Sequence, residues 1–431
     1  KYDTIDYYKI DPAFGNLEDI KELVNKAHDA GIRVVLDAVF NHCSHKNKFF
    51  QDVVEKGEKS IYKDWFFFED FPVRIKPVAN YETFGVNIHS MPRFNTSNLE
   101  VREYLLGVAE YWTKVLDIDG WRLDVADEIS HSFWKDFKRR LRDIKKDIFI
   151  IGEIWYYSTI WLKGDEFDSL MNYPLRRLIL DFFIDNKINV DKFIIGLNKG
   201  FIAYRDETPY MLLNLLGSHD TARILTLCNG DINKLKLAVI FIMTFIGIPL
   251  IYYGDELGME GGGDPGCRGT MIWDRSEFND EILKFYKKLI SLRKKYPVLI
   301  NGSFRMLKLH KDENVFAYLR YTDADTDTYT NNIDNNIAND IDTDIDTDTD
   351  IDTDIDTNTN TDSNIDNNIN TDLALIIINN SDKELQVILN DAIVHFSKRK
   401  VRDLLSGNNY KFGQFSMMDI TIDRKTAVIL V

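Results

Sequence analysis

Apolar side chains follow two patterns that alternate along roughly the first 300 residues. Residues 16–31 show the spacing i, i+3, i+4, i+7 of an amphipathic helix, whose apolar face comprises Ile20, Leu23, Val24 and Ala27. A continuous apolar run then covers residues 32–37. Because this run lacks polar alternation, it indicates a strand that is covered on both faces, as in a parallel sheet.

This helix-then-strand unit recurs. Further helices are predicted at 99–116, 131–146, 174–185, 191–203, 232–246 and 279–295. Strands are predicted at 32–37, 118–124, 148–153, 166–172, 211–218 and 248–254. The alternation favours an α/β fold of the (β/α)8 TIM-barrel type over its rival, a doubly wound open sheet. No glycine-rich phosphate-binding motif follows any of these strands, so nothing indicates nucleotide binding.

The pattern changes near residue 299, after which short strands follow one another without helices. They are SFRMLKLH, NVFAYLRY, LALIIINN, LQVILN and KTAVILV. This arrangement predicts an antiparallel β-sandwich. We therefore expect a catalytic barrel over residues 1–298 and a C-terminal β domain over residues 299–431.

Residues 322–372 interrupt the second domain with an Asp/Thr/Asn/Ile repeat. The segment contains 16 Asp and no Lys, Arg or Glu, which accounts for the whole net charge of −16. Because neighbouring aspartates repel, we interpret it as a disordered insertion in a hairpin loop. A calcium-binding repeat is the alternative, although the glycines that turn such loops are absent.

Composition excludes several classes of protein. The rest of the chain is balanced in charge and has no basic patch, so we expect no nucleic-acid partner. No apolar span of 18 residues is visible, so we expect no membrane association and a cytoplasmic location. The three cysteines have neither metal nor disulfide spacing and are expected to be free thiols. The chain begins with Lys, so a signal peptide on a longer precursor remains an alternative.

Charged residues collect where the predicted strands end, the position at which barrel enzymes carry their chemistry. They include Asp37, Arg122, Asp124, Glu153 and Asp220. Asp124 and Glu153 would approach to about 5 Å on neighbouring strands, the separation used in retaining glycoside hydrolysis. We expect Arg122 to keep Asp124 ionised, and the apolar neighbours of Glu153 to favour its protonated, acid form.

Several segments resemble conserved regions of the α-amylase family of glycoside hydrolases, and they occur in the family's order. They are DAVFNH (37–42), GWRLDVADE (120–128), GEIW (152–155) and LLGSHD (215–220). MPRFN (91–95) resembles a region shared by the neopullulanase, cyclomaltodextrinase and maltogenic amylase subgroup. WLKGDEFDSLMNYP (161–174) and IYYGDELGMEGGGDP (251–265) resemble that subgroup as well. The resemblance extends from residue 1 to about residue 320.

This resemblance implies a role for each matching residue. Asp124 would be the nucleophile, Glu153 the general acid and base, and Asp220 a third carboxylate that stabilises the transition state, all in one cleft. The implied substrate-binding residues are Tyr2, His42, Arg122, Glu128, Trp155 and His219, with Glu128 and Trp155 on the acceptor side. No cofactor is required. Asn41 matches a position that ligates structural Ca²⁺ in many amylases, although the subgroup often lacks that ion. His131 is interpreted as the start of a helix rather than as a ligand.

The expected activity is retaining hydrolysis of α-1,4-glucosidic bonds in maltooligosaccharides, cyclodextrins, pullulan or starch, with transglycosylation alongside. Two alternatives are a non-catalytic glucan-binding protein and a trehalose- or sucrose-acting enzyme. The three carboxylates argue against the first, and MPRFN and VADE against the second. The resemblance allows a homodimer of the full-length protein.

The chain also departs from the family. Asp127, Tyr156 and the segment GCRGT (266–270) differ from the subgroup's usual residues, which affects the expected acceptor side. The first two barrel strands and the subgroup's N-terminal β domain have no counterpart in this sequence. We therefore expect a truncated chain with an unpaired strand edge at 32–37 and at 248–254, and with poor activity of its own.

Overall fold

A computed structural model of the chain describes residues 2–204, 207–307, 314–322, 373–390, 400–413 and 417–431. Apart from Thr322, the predicted insertion lies outside the described residues. The chain divides into two compact units, one of Lys1–Arg176 and Leu197–Asn214, the other of Arg177–Gly196 and Leu215–Val431. The domain limits predicted from the sequence, 1–298 and 299–431, stay a prediction.

Every helix and strand predicted before residue 299 is present. The helices are α1 (Leu17–Asp29), α2 (Lys48–Lys56), α3 (Leu99–Leu116), α4 (His131–Ile144), α5 (Tyr173–Ile179), α6 (Val190–Ala203), α7 (Ile224–Leu227), α8 (Ile232–Thr244), α9 (Asp280–Lys295) and α10 (Val298–Asn301). The strands are β1 (Val35–Ala38), β2 (Gly120–Leu123), β3 (Phe149–Gly152), β4 (Ser169–Leu170), β5 (Leu213–Leu215) and β6 (Ile248–Leu250). Of these helices, α2, α7 and α10 had not been predicted.

A parallel sheet with the order β1-β2-β3-β4 lies in the first unit, as the unbroken apolar runs predicted. The helices before β2 and β3 begin at side-chain caps, because Asn98 accepts from the backbone N–H of Glu100 and Ser130 accepts from that of Phe133. Trp121 and Leu123 of β2 are buried in the same apolar core as Phe133 and Phe137 of α4. This packing fixes the ends of β2 and β3, where the candidate site lies. β1 stands at the end of the sheet order, and its Val35 is exposed.

One predicted helix differs from expectation. Instead of a single helix over 174–185, α5 ends at Ile179 and a π-helical turn covers Leu180–Ile184. The wider turn closes with the N–H of Asp185 donating to the carbonyl of Leu180. Phe182, Phe183 and Ile184 are all buried. A helical spacing pattern cannot show such an extra residue, because a π-turn shifts the apolar face by one position.

The second unit contains antiparallel sheets at its C-terminal end. Their strands are β7 (Ser303–Leu307), β8 (Val315–Tyr321), β9 (Leu373–Asn379), β10 (Leu385–Asn390), β11 (Lys400–Arg402), β12 (Asn409–Lys411), β13 (Met417–Ile422) and β14 (Thr426–Leu430). The sheet orders are β14-β9-β8-β7, β10-β13 and β11-β12. Apolar side chains from these sheets share one core. The antiparallel C-terminal region predicted from the sequence is therefore present.

Two further expectations concern the cysteines and the membrane. Cys43, Cys228 and Cys267 are free and buried, as predicted. Among the helices in the described part of the chain, none combines the length and apolar character needed to cross a bilayer.

Arg320 of β8 is fully buried, and its guanidinium donates hydrogen bonds to backbone carbonyls at two helix ends. Its guanidinium donates to the carbonyls of Thr244 at 2.6 Å, Leu299 at 2.9 Å and Gly302 at 2.8 Å. The side chain of Arg320, on a strand of the C-terminal sheet, thus donates hydrogen bonds to carbonyl groups at the ends of both α8 and α10. Removing its donors leaves buried acceptors unpaired, which costs about 1–3 kcal/mol for each group.

We therefore expect Arg320→Met to lower the free energy of unfolding by roughly 3–5 kcal/mol. Urea titration followed by circular dichroism measures this change. The matched control is Arg424→Met, which removes the same group from an exposed position. Equal stability of the two variants would contradict the role given to Arg320.

Candidate active site

Asp124 and Glu153 occupy equivalent positions at the ends of two adjacent parallel strands. Leu123 of β2 is paired with Gly152 of β3, so the next residue on each strand is one of the two acids. The ladder continues through them, because the N–H of Glu153 donates to the carbonyl of Leu123 at 3.0 Å. The N–H of Asp124 likewise donates to the carbonyl of Ala38 at 3.0 Å. The backbones of the two acids are therefore separated by about one strand spacing, roughly 4.8 Å.

The guanidinium of Arg122 joins both acids. Its Nη1 lies 2.8 Å from Oδ1 of Asp124, and its Nη2 lies 2.8 Å from Oε2 of Glu153 as an ion pair. Nη1 also lies 2.9 Å from Oδ1 of Asp37, which comes from β1. The side chains of Arg122, Asp124 and Glu153 are only 12%, 9% and 7% exposed. One cation thus neutralises part of the charge of three carboxylates from three adjacent strands.

Burial and the neighbouring charge of Arg122 act in opposite directions on the pKa of Asp124. Burial raises the pKa of Asp124 to about 7, and the nearby charges of Glu153 and Asp37 add to this effect. Arg122 lowers the pKa but does not compensate for the loss of water. The sequence did not show how deeply this carboxyl is buried, and the expectation that Arg122 keeps Asp124 ionised stays a prediction.

Glu153 accepts hydrogen bonds that the sequence did not predict. The indole Nε1 of Trp155 donates to Oε1 at 3.3 Å, and the backbone N–H of Val125 donates to Oε2 at 3.1 Å. Trp155 had been expected on the acceptor side of the site. Val125 has φ 46° and ψ 47°, a left-handed conformation that is strained for a β-branched residue. This strained turn directs its N–H towards Glu153.

Tyr2 and His42 lie on the β1 side of the same group. The hydroxyl of Tyr2 donates to Oδ2 of Asp37 at 2.7 Å, and its ring lies 5.8 Å from the guanidinium of Arg122. His42 is fully buried and stacks on Phe84 with the ring centres 4.6 Å apart. Burial lowers the pKa of His42 to about 4, so its imidazole is neutral above that pH. The structure therefore brings Tyr2, Asp37 and Arg122 together, and the sugar-binding role of Tyr2 and Arg122 stays a prediction.

Trp155 forms an exposed aromatic surface beside Glu153. Its ring is parallel to that of Tyr173, with the ring centres 3.8 Å apart and an angle of 10° between the planes. Trp155 nevertheless remains 50% exposed. An aromatic ring held flat by a second ring is suited to stacking against a sugar.

Glu128 lies in the loop that follows Asp124 and contacts the chain after β1. The amide Nδ2 of Asn41 donates to Oε2 of Glu128 at 2.9 Å. His131, which was interpreted as the start of a helix rather than as a ligand, is the first residue of α4, and its Nδ1 lies 2.8 Å from Oε2 of Glu166. Within the described ranges no group of three or more His, Cys, Asp and Glu is arranged to hold a metal ion.

His219 and Asp220 follow β5 and belong to the second compact unit. Nε2 of His219 lies 3.2 Å from Oδ2 of Asp220. Arg268 contacts both residues, through Nη2 to Oδ1 of Asp220 at 3.2 Å and through Nε to the carbonyl of His219 at 3.0 Å. Arg268 was not among the predicted site residues, although it lies in the segment GCRGT, which differs from the subgroup's usual residues. The joint cleft predicted for Asp220, Asp124 and Glu153 stays a prediction.

A sequence model described as the α-amylase catalytic domain matches residues 1–279. The chain belongs to the α-amylase family. Its fold is accordingly that of a TIM-barrel catalytic domain with a C-terminal β domain, and the family resemblance seen in the motifs is confirmed. The prediction that two barrel strands are missing stays a prediction.

Family members with curated names are similar to this chain over much of its length. A cyclomaltodextrinase from Thermoanaerobacter pseudethanolicus is 49% identical over 320 residues, which cover 74% of this chain and 55% of that protein. Neopullulanase 2 from Thermoactinomyces vulgaris is 48% identical over 320 residues, covering 74% and 54%. A solved cyclomaltodextrinase structure superposes with a TM-score of 0.84 and 37% identity, covering 100% of this chain and 66% of that one. The chain thus spans about half the length of the curated relatives it matches.

The raised pKa of Asp124 makes a prediction for stability. The folded protein holds this proton more tightly than the unfolded chain, whose aspartates titrate near pH 3.9. The stability that comes from holding this proton is therefore fully present below about pH 3.9, and it is lost as the pH rises through about 7. Asparagine does not titrate, so the Asp124→Asn variant does not lose this stability as the pH rises. We expect the stability of the variant relative to wild type to increase by roughly 2–4 kcal/mol between pH 4 and pH 8.

Urea unfolding at a series of pH values measures this difference. Asp147→Asn, at an exposed position, is the matched control and should follow the wild-type curve. A stability difference between Asp124→Asn and wild type that does not change with pH would show that Asp124 titrates normally.

Proposed function

We propose that this chain carries the catalytic site of a retaining glycoside hydrolase that cleaves α-1,4-glucosidic bonds. The substrates would be maltooligosaccharides, cyclodextrins, pullulan or starch. The observation that supports this most directly is the placement of Asp124 and Glu153 at equivalent positions of β2 and β3, both in contact with Arg122. The names of the cyclomaltodextrinase and neopullulanase relatives agree with this class of substrate.

In the first step of the proposed mechanism, the carboxylate of Asp124 attacks the anomeric carbon. Glu153 gives its proton to the glycosidic oxygen as the bond between that oxygen and the anomeric carbon breaks. A glucosyl ester of Asp124 results, with inverted configuration at the anomeric carbon. The contact of both carboxyl groups with the one guanidinium of Arg122 supports this route, since it holds them close together, whereas an inverting enzyme needs about 6.5–9.5 Å between its carboxyl groups to admit a water molecule.

In the second step, Glu153 acts as a base. It removes a proton from water, whose oxygen attacks the anomeric carbon and releases Asp124, and the second inversion restores the α configuration. A sugar hydroxyl in place of water gives transglycosylation. Trp155 and Glu128 would contact that acceptor, and the exposed ring of Trp155 supports this role.

The remaining roles follow the family resemblance. Tyr2, His42 and Arg122 would bind the sugar on which Asp124 acts. Asp220 would be the third carboxylate, with His219 beside it. No step of this mechanism uses a cofactor. A homodimer of the full-length protein also stays a prediction.

Asp124→Asn tests the proposed chemistry. We expect hydrolysis of maltooligosaccharides to fall by at least about 1000-fold, because an amide cannot form the glucosyl ester. Glucan binding, measured by isothermal titration calorimetry, should remain close to that of wild type, since the aromatic contacts persist. The control is Asp147→Asn, which should retain activity. Hydrolysis by Asp124→Asn at nearly the wild-type rate would exclude Asp124 as the nucleophile.

A further inference from the structure

The segment MPRFN (91–95) takes no part in the proposed mechanism, yet it lies directly beside the site. Its backbone pairs with the chain that follows β1. The N–H of Phe94 donates to the carbonyl of Asn41 at 2.9 Å, and the N–H of Cys43 donates to that of Pro92 at 3.1 Å. Arg93 and His42 form a β-bridge between these contacts. The backbone of Arg93 is therefore fixed next to a predicted substrate-binding residue.

The side chain of Arg93 reaches the loop that follows Asp124. Its Nη2 donates to the backbone carbonyl of Glu128 at 3.1 Å and lies 3.9 Å from Oε2 of the same residue. Its Nη1 lies 3.5 Å from Oε2 of Glu82. Because Asn41 also donates to Oε2 of Glu128, three segments of the chain meet at this carboxylate.

This loop needs an anchor, because it contains the strained residue Val125. The N–H of Val125 donates to Glu153, and its left-handed conformation persists only where neighbouring structure holds it. The contact of Arg93 with the carbonyl of Glu128 comes three residues after Val125. Holding the far end of the loop restricts the direction of that N–H, and so the position of Glu153.

The family resemblance suggests structural calcium at Asn41, beside the same residues. Calcium takes 6–8 oxygen ligands. Here Asn41 presents its NH2 group to Glu128, and a guanidinium lies on that carboxylate. A bound cation would be repelled by Arg93, and among the described residues no group of three or more His, Cys, Asp and Glu is arranged to hold a metal ion. The donor set at Asn41 therefore does not fit calcium.

We propose that Arg93 is a positioning residue that ties the loop after Asp124 to the segment 91–95, and that it makes this connection without a metal ion. Its effect on catalysis rests on the function proposed above. Its effect on the stability of the loop does not.

The test compares Arg93→Met, Arg93→Lys and the control Arg139→Met, in the protein as it exists. Arg139 is an exposed arginine that pairs with Asp136 at 3.0 Å, so its variant loses the same charge and a similar ion pair. The melting temperature is measured with EDTA, with added calcium and with neither. The kcat and KM values for a maltooligosaccharide are measured well below the melting temperature.

We expect Arg93→Met to lower the melting temperature by about 2–6 °C, as loss of one charge-assisted hydrogen bond would in a domain of this size. Its kcat should fall about tenfold, which corresponds to a misplaced catalytic group rather than to weaker binding. Arg93→Lys should recover part of both losses, because an ammonium can still donate to the carbonyl of Glu128. Arg139→Met should match wild type, and neither EDTA nor calcium should change the melting temperature of wild type.

Three outcomes would overturn the proposal. An increase in the wild-type melting temperature with calcium, reversed by EDTA, would show that a metal holds this site. A lower melting temperature with unchanged kcat would leave Arg93 a structural residue only. Identical behaviour of Arg93→Met and Arg139→Met would remove both roles. Absence of activity on every α-glucan in wild type would instead reject the proposed function, and the thermal measurements would still decide whether Arg93 holds the loop.

Discussion

The site depends on one buried guanidinium shared by three carboxylates. Asp37, Asp124 and Glu153 come from adjacent strands of a parallel sheet, and their like charges would repel without Arg122 between them. Removing one member of such a buried group costs about 3–5 kcal/mol, since the remaining charge is left unpaired. The arrangement is nevertheless not neutral, and the excess negative charge together with burial raises the pKa of Asp124. Stability and chemical reactivity therefore arise from the same contacts.

The loop that follows β2 adds a backbone hydrogen bond to Glu153, and forming that bond requires a strained backbone conformation. Val125 adopts a conformation that is unfavourable for its side chain, and in that conformation its N–H faces Glu153. Strain of this kind costs about 1–3 kcal/mol and requires support from neighbouring structure. Arg93 supplies a contact to the same loop from another part of the chain. Residues outside the reacting pair can thus influence it through the backbone.

Much of the barrel could be predicted because its strands are short apolar runs that end in charged residues. The same feature identified Asp124 and Glu153 as neighbours, since parallel strands align their carboxyl ends at one edge. Other features could not be predicted. The pKa of Asp124 depends on burial by residues distant in sequence, and the left-handed turn at Val125 contradicts the local preference of valine. The contacts of Arg93 and Arg268 likewise depend on long-range packing that no local pattern shows.

The central claim is that Asp124 forms a covalent bond to the sugar, and trapping that intermediate tests it most directly. A fluorinated α-glucosyl fluoride has a good leaving group, and its ring fluorine slows both steps, so a glucosyl ester should accumulate. Digestion and mass spectrometry then locate the added sugar. Our account predicts that the label is on Asp124 and is absent from the Asp124→Asn variant. A label on another residue, or no label together with a product of inverted anomeric configuration, would contradict the account.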